Sequence, residues 1–231
     1  MNKNKTKIFL IFILFLLLVK TDYRLGSTIN CCGDDFDYYM HAQTIATDFD
    51  LDYSNQLQED QHIKYNGKIA PKGFIGSGLL AAPFYFLGDY IDKFLDSSGI
   101  FNYRIITYSF SSVFYLFLGY KFLLKSLLMI NKNLDRLLFF VLFFGSGVSY
   151  YAFERFSMTH SYEVFSTSLI IFLTTKFFYE QNSNKKNIYI FLIPLFIVIG
   201  LLTRWTNYYL ILLPFLIYKL LNNNGSSLQL I

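Results

Sequence analysis

Several windows of 15 or more residues in this chain are almost free of charge. That feature limits the fold more than any other, because a soluble domain carries about 25% charged residues, spread over its surface. Here charged residues are 16% of 231 and hydrophobic residues 54%, with 27 Phe and 19 Tyr supplying most of the aromatic content. The composition excludes a disordered chain, a collagen and a disulfide-stapled secreted module. It predicts an all-α polytopic membrane protein of about six transmembrane helices, with residues 1–231 forming one membrane domain. The formal net charge of +4 is not a nucleic-acid signal; where the charges sit matters more.

Ile8 to Val19 is an unbroken apolar run of 12 residues behind Lys3, Lys5 and Lys7. A span needs about 20 residues, so the run is short and resembles a signal-peptide core. No convincing small-x-small cleavage site follows, and an uncleaved first helix is expected. Tyr103 to Tyr120, Leu137 to Phe153 and Val164 to Tyr179 read as further spans. Ile188 to Leu221 covers 34 residues. As one helix it would be about 51 Å long, against an apolar core of about 30 Å. It breaks at Thr203-Arg204-Trp205-Thr206-Asn207, which predicts two short helices joined by a tight turn.

Charge placement gives the orientation. With the N-terminus inside, the inner segments hold 11 bases (Lys3, Lys5, Lys7, Lys121, Lys125, Lys132, Arg136, Lys176, Lys185, Lys186 and Lys219) against two acids, Asp135 and Glu180. That satisfies the positive-inside rule. Residues 21–102 then form a large extracytoplasmic loop bearing short juxtamembrane helices, and it holds 12 of the 16 acids. Within it, Gly73 to Leu87 is apolar but contains three Gly and one Pro, and crossing there would invert every later Lys-rich turn. An interfacial or re-entrant helix is expected instead.

Three constellations carry charge at the outer ends of the predicted spans. The first is Gly33-Asp34-Asp35-Phe36-Asp37-Tyr38-Tyr39, followed by a helical pattern to Thr47. Asp34 and Asp35 are either caps of that helix or a functional pair. Neighbouring carboxylates raise one another's pKa, which suits proton abstraction. Asp35-Phe36-Asp37 is also an Asp-x-Asp spacing for a hard divalent cation, so a divalent metal stays open although no metal-ligand set is assigned. The second is Phe153 to Ser161, where Arg155 and His160 either bind a phosphate or anchor the turn at the interface. The third is Arg204, which interrupts an apolar hairpin and needs an anion, either a ligand or a structural partner. His41 and His62 lack partners at metal spacing and read as surface residues. Cys31 and Cys32 are adjacent and strain a mutual disulfide. No Walker motif, Ser-His-Asp set or zinc spacing is present.

In this order the motifs resemble the N-terminal half of bacterial GT-C type glycosyltransferases, relatives of the protein O-mannosyltransferases and the lipid A aminoarabinose transferases. Gly33, Asp34, Asp35, Tyr38 and Tyr39 match a Gly-Asp-Asp/Glu-x-x-Tyr-Tyr pattern. The stretches Ala46 to Gln56, Pro71 to Gly88 and Leu201 to Asn207 are similar to the same family. The resemblance implies transfer of a sugar from a polyprenyl-phosphate donor to an extracytoplasmic acceptor of unknown identity, with inversion, at the bacterial plasma membrane. It implies Asp34 or Asp35 as the catalytic base and Arg155, His160 and Arg204 as ligands of the lipid phosphate. Family members have about twice the length, so a truncated product or half of a split enzyme is expected. The competing expectation is a non-catalytic membrane subunit or a transporter of envelope assembly. A transporter should carry ionisable groups at mid-membrane.

In a Cys31→Ser, Cys32→Ser background, Ser54→Cys should react with a membrane-impermeant maleimide on intact cells. Labelling only after lysis would invert the topology.

Overall fold

The computed structural model describes residues 33–56, 63–66, 68–95 and 102–228. The first apolar run, both cysteines and His62 lie outside these residues. The described chain is helical apart from one antiparallel hairpin. Helix α1 is Gly33–Thr47, strands β1 and β2 are Ile63–Tyr65 and Lys68–Ala70, and α2 is Ile75–Leu95. Helices α3 (Tyr103–Ile130), α4 (Arg136–Phe144), α5 (Val148–Phe153), α6 (His160–Tyr179) and α7 (Ser183–Thr203) follow. A 3₁₀ turn over Trp205–Ile211 leads into α8, Leu213–Leu228.

Two helices among the described residues, α3 and α7, are long and apolar enough to cross a membrane, with mean hydropathies of 1.7 and 2.0. About six spans were expected; among the described residues these two qualify on length and apolarity, and α6, over the expected Val164 to Tyr179 span, does not. Leu137 to Phe153 is not one helix. Asp135 starts α4 by accepting the N–H groups of Leu137 and Leu138, and Gly145-Ser146-Gly147 ends it after nine residues. At 1.5 Å per residue α4 is about 13 Å long, under half the apolar thickness. The expected Gly73 to Leu87 helix is in fact a 21-residue helix that continues through Asp89 and Asp92. Its polar end is held by Arg104, whose Nε lies 3.0 Å from Asp89 and 3.4 Å from Asp92. Asp92 also accepts the N–H groups of Tyr103 and Arg104, which caps α3. The break at Arg204 stands as expected, except that a 3₁₀ turn separates α7 from α8.

Helix α2 lies between α1, α3 and α7. Small residues make this possible. A Cβ on Gly78 would strike His41 of α1, one on Gly88 would strike Thr107 and Tyr103 of α3, and one on Gly76 would strike the backbone of Leu202 and Thr203 at the end of α7. Helix α3 packs on α6 through aromatic and aliphatic side chains and is tied to α6 and α5 by hydrogen bonds. Ser111 shares a hydrogen bond with Tyr162 at 2.6 Å, and the Ser112 hydroxyl donates to the Ala152 carbonyl at 2.7 Å. The core at this end joins Tyr85, Ile105, Tyr108, Phe156 and Tyr162, with Tyr39 set edge-on against Tyr85 and Tyr108.

Gly76→Ala should cost about 1–3 kcal/mol, because backbone yields less readily than a side-chain tip. Gly147→Ala, where nothing lies within 4 Å of the added carbon, should be near neutral. Thermal unfolding of the two variants in detergent compares them, and equal melting temperatures would refute the close approach.

Candidate functional site

Helix α1 begins with Asp34 and Asp35 in its first turn, where a carboxylate meets the exposed N–H groups and the positive end of the helix dipole. The two side chains enter different surroundings. Asp34 is exposed, whereas Asp35 is 2% exposed. Arg155 reaches Asp35 from the turn after α5 and donates both Nη2–H, at 2.7 Å, and Nε–H, at 3.1 Å, to its Oδ2. The expected pair of interacting carboxylates is therefore replaced by an acid held on an arginine beside an acid facing solvent. The reason is local: adjacent residues in a helix point about 100° apart, so a chain that buries one exposes the other.

Asp37, also buried, accepts the Lys72 N–H at 3.0 Å. The Asp-x-Asp spacing is thus turned toward protein partners. Among the described residues no group of three or more His, Cys, Asp or Glu could hold a metal ion.

The loop Pro71–Phe74 lies along α1. His41 is buried rather than at the surface. Its Nε2–H donates to the Gly73 carbonyl at 2.9 Å, which leaves Nδ1 to accept from the Tyr53 hydroxyl at 2.6 Å. Burial holds this imidazole below its usual range. The ring of Tyr38 lies on Gly73, where an added Cβ would come within 2.8 Å of it.

Arg204 arises where α7 stops. Its backbone is extended, with φ −162° and ψ 131°. The broken end is satisfied from within: the Arg204 N–H donates to the Gly200 carbonyl at 3.3 Å and the Asn207 amide donates to the same oxygen at 3.0 Å. Its Nη1 lies 3.9 Å from Glu163 Oε1. Glu163, on the first turn of α6, also accepts the Thr159 hydroxyl.

These elements meet at one end of the bundle. Burial and then the Asp34 charge push the Tyr38 phenol above its ordinary value, Arg204 draws it back, and Glu163 and Asp37 raise it. The phenol therefore lies within electrostatic reach of all four groups. His160, whose ring centroid is 3.9 Å from that of Tyr151, is held below the usual imidazole range by burial. Glu163 opposes that shift, and Arg204 and Arg155 add to it. Asp34, Asp35, Arg155, His160 and Arg204 thus share one neighbourhood. Glu163 is a member that sequence reasoning passed over. Its only signal was position, four residues after Thr159 and three after His160 on a helix face.

A cleft of about 540 Å³ opens from this neighbourhood. His160, Glu163, Tyr151 and Tyr209 line one part of it, and Leu123, Phe143, Val148, Val164 and Ile171, with Thr167 and Ser168 among them, line the rest. No family model, curated protein or solved structure matches the chain.

Replacing Arg155 with Met breaks the ion pair of a buried carboxylate and should cost about 3–5 kcal/mol. The Asp35→Leu, Arg155→Met double variant should recover at least half of that loss. Chemical or thermal unfolding measures both, and a single variant as stable as Asp34→Asn would dismiss the pair as a structural tie.

Proposed function

We propose that the chain is an integral membrane glycosyltransferase of GT-C type, which transfers a sugar from a polyprenyl-phosphate donor to an extracytoplasmic acceptor. The observation that carries this reading is the cleft: an apolar trough whose polar part holds His160 and Glu163, with Arg204 against Glu163. An amphiphile with a long apolar tail and an anionic head matches such a cleft. The isoprenoid would lie against Leu123, Phe143, Val164 and Ile171, and the phosphate would meet Arg204. The resemblance of Gly33 to Tyr39 and of Leu201 to Asn207 to the glycosyltransferase patterns points the same way.

Burial separates the roles of the two acids. Asp34 is exposed, which leaves it to take the proton in this reading, whereas Asp35 is paired with Arg155. In the reaction, Asp34 accepts the proton of the acceptor hydroxyl or amine. The acceptor atom attacks the anomeric carbon from the side opposite the phosphate. The bond from that carbon to the phosphate oxygen breaks, and its electron pair leaves with the lipid phosphate. Arg204 stabilises the charge that develops there, in surroundings of low dielectric. Arg155 acts on the site through Asp35, which fixes the first turn of α1. His160 lines the cleft beside the head group. In this reading the protein crosses the bacterial plasma membrane several times, has a cytoplasmic N-terminus and displays residues 21–102 outside.

The test uses the protein in lipid vesicles with radiolabelled polyprenyl-phosphate sugars. Asp34→Asn should lower transfer at least 100-fold, the scale of a lost general base, with donor binding within about twofold of the parent. Arg204→Ala should weaken donor binding about tenfold or more, as expected for a charge-assisted contact. Loss of donor binding in Asp34→Asn, or full transfer in both variants, would defeat the assignment.

A further inference from the structure

Arg155 and Arg204 stand near His160 and Glu163 at the polar end of the cleft without lining it, and their charges are committed differently. Arg155 gives two N–H groups to Asp35. Arg204 stands 45% exposed at its side chain and is 3.9 Å from Glu163. At that distance the guanidinium is paired but its five donors are not saturated. Glu163 is the better fixed partner. Its side chain is 16% exposed, and its Oε1 accepts from Thr159 as well as facing Arg204. A fixed negative charge therefore stands in the wall of the cleft, beside the group that would receive an anion.

We propose that Glu163 sets the charge selectivity of the cleft: with Arg204 it admits a phosphodiester head bearing one negative charge and disfavours heads bearing more. The inference rests on the reading of a phosphate-linked donor and deepens it. Repulsion from Glu163 and attraction to Arg204 both grow with each charge on the ligand, but Glu163 lines the cleft and Arg204 does not, so the repulsion grows faster. A sugar linked through a phosphodiester carries one ionised oxygen. Transfer converts it into a phosphate monoester, which carries close to two charges above its second pKa of about 6. The same carboxylate that tolerates the substrate thereby favours departure of the lipid product.

Trp205 is the chain's one tryptophan and lies next to Arg204, 63% exposed. Its fluorescence reports binding without need of turnover. The probes are farnesol, methyl farnesyl phosphate, farnesyl phosphate and farnesyl diphosphate, titrated into the full chain in detergent at pH 8. The parent protein should bind the diester more tightly than the monoester or the diphosphate. Glu163→Gln keeps an acceptor for Thr159 and removes the charge. It should tighten the diester about threefold and the monoester about tenfold, with a larger gain for the diphosphate and none for farnesol, as repulsion proportional to ligand charge requires. Unchanged selectivity, a gain that includes farnesol, or weaker binding of all three phosphates would overturn the role of Glu163 while leaving the donor reading intact. Phosphates that bind no better than farnesol to the parent would overturn the donor reading and this inference with it. A second measurement needs no variant. Lowering the pH from 8 to 5 removes a charge from the monoester, whose second pKa is about 6, so its affinity should rise toward that of the diester. A monoester affinity that stays constant would also count against the proposal.

Discussion

The contact between Asp35 and Arg155 joins segments 120 residues apart in the sequence. Few arrangements of the chain satisfy it. Taking both charges out of water costs several kcal/mol each, so the pair contributes position more than net stability. Once it forms, Asp34 is held on the exposed side of the same turn. Tyr38 stands one helical turn on, and His160 begins the helix that follows the Arg155 turn. The break at Arg204 is brought to the same end by α2, whose Gly76 touches the backbone of Leu202 and Thr203.

The helices around this end are held by means suited to lipid. Between helices in a bilayer the hydrophobic effect gives little attraction, and close packing and hydrogen bonds take its place. The α3–α6 contact has that character. Ser111 meets Tyr162 and Gly119 lets α6 approach to van der Waals distance at Phe165, while Ser112 ties α3 to α5 through the Ala152 carbonyl. Helix α7 by contrast carries exposed Ile188, Ile190, Phe191, Leu195 and Val198.

Local signals in the sequence were strong where one residue type decides the backbone. The helix after Gly33 was legible from its apolar spacing and first-turn acids. The break at Arg204 was legible because 34 apolar residues cannot be one span and a cation interrupts them. The split of Leu137 to Phe153 was written in Gly145-Ser146-Gly147, but continuous apolarity outweighed two glycines in the reading. The long-range contacts were not legible. Nothing local distinguishes Asp35 from Asp34, since the difference is which one finds Arg155. His41 read as a surface residue because its partners, Tyr53 and the Gly73 carbonyl, come from 12 and 32 residues away. Glu163 has the same character: it acquires meaning only when α7 ends against α6.

The two glycines that divide α4 from α5 also have a mechanical consequence. Phe143 of α4 and Val148 of α5 both line the cleft, so one wall is two short rods with a joint between them. No residue of α4 is buried, and the Tyr120 ring, packed against Phe139, Phe140, Phe143 and Phe144, is its main support. Such a segment has the lowest local free energy of opening in its surroundings. A continuous helix there would resist lateral displacement along its whole length. The jointed wall concentrates compliance at Gly145-Ser146-Gly147, so α4 can shift and widen the cleft while Tyr151 of α5 stays packed on His160.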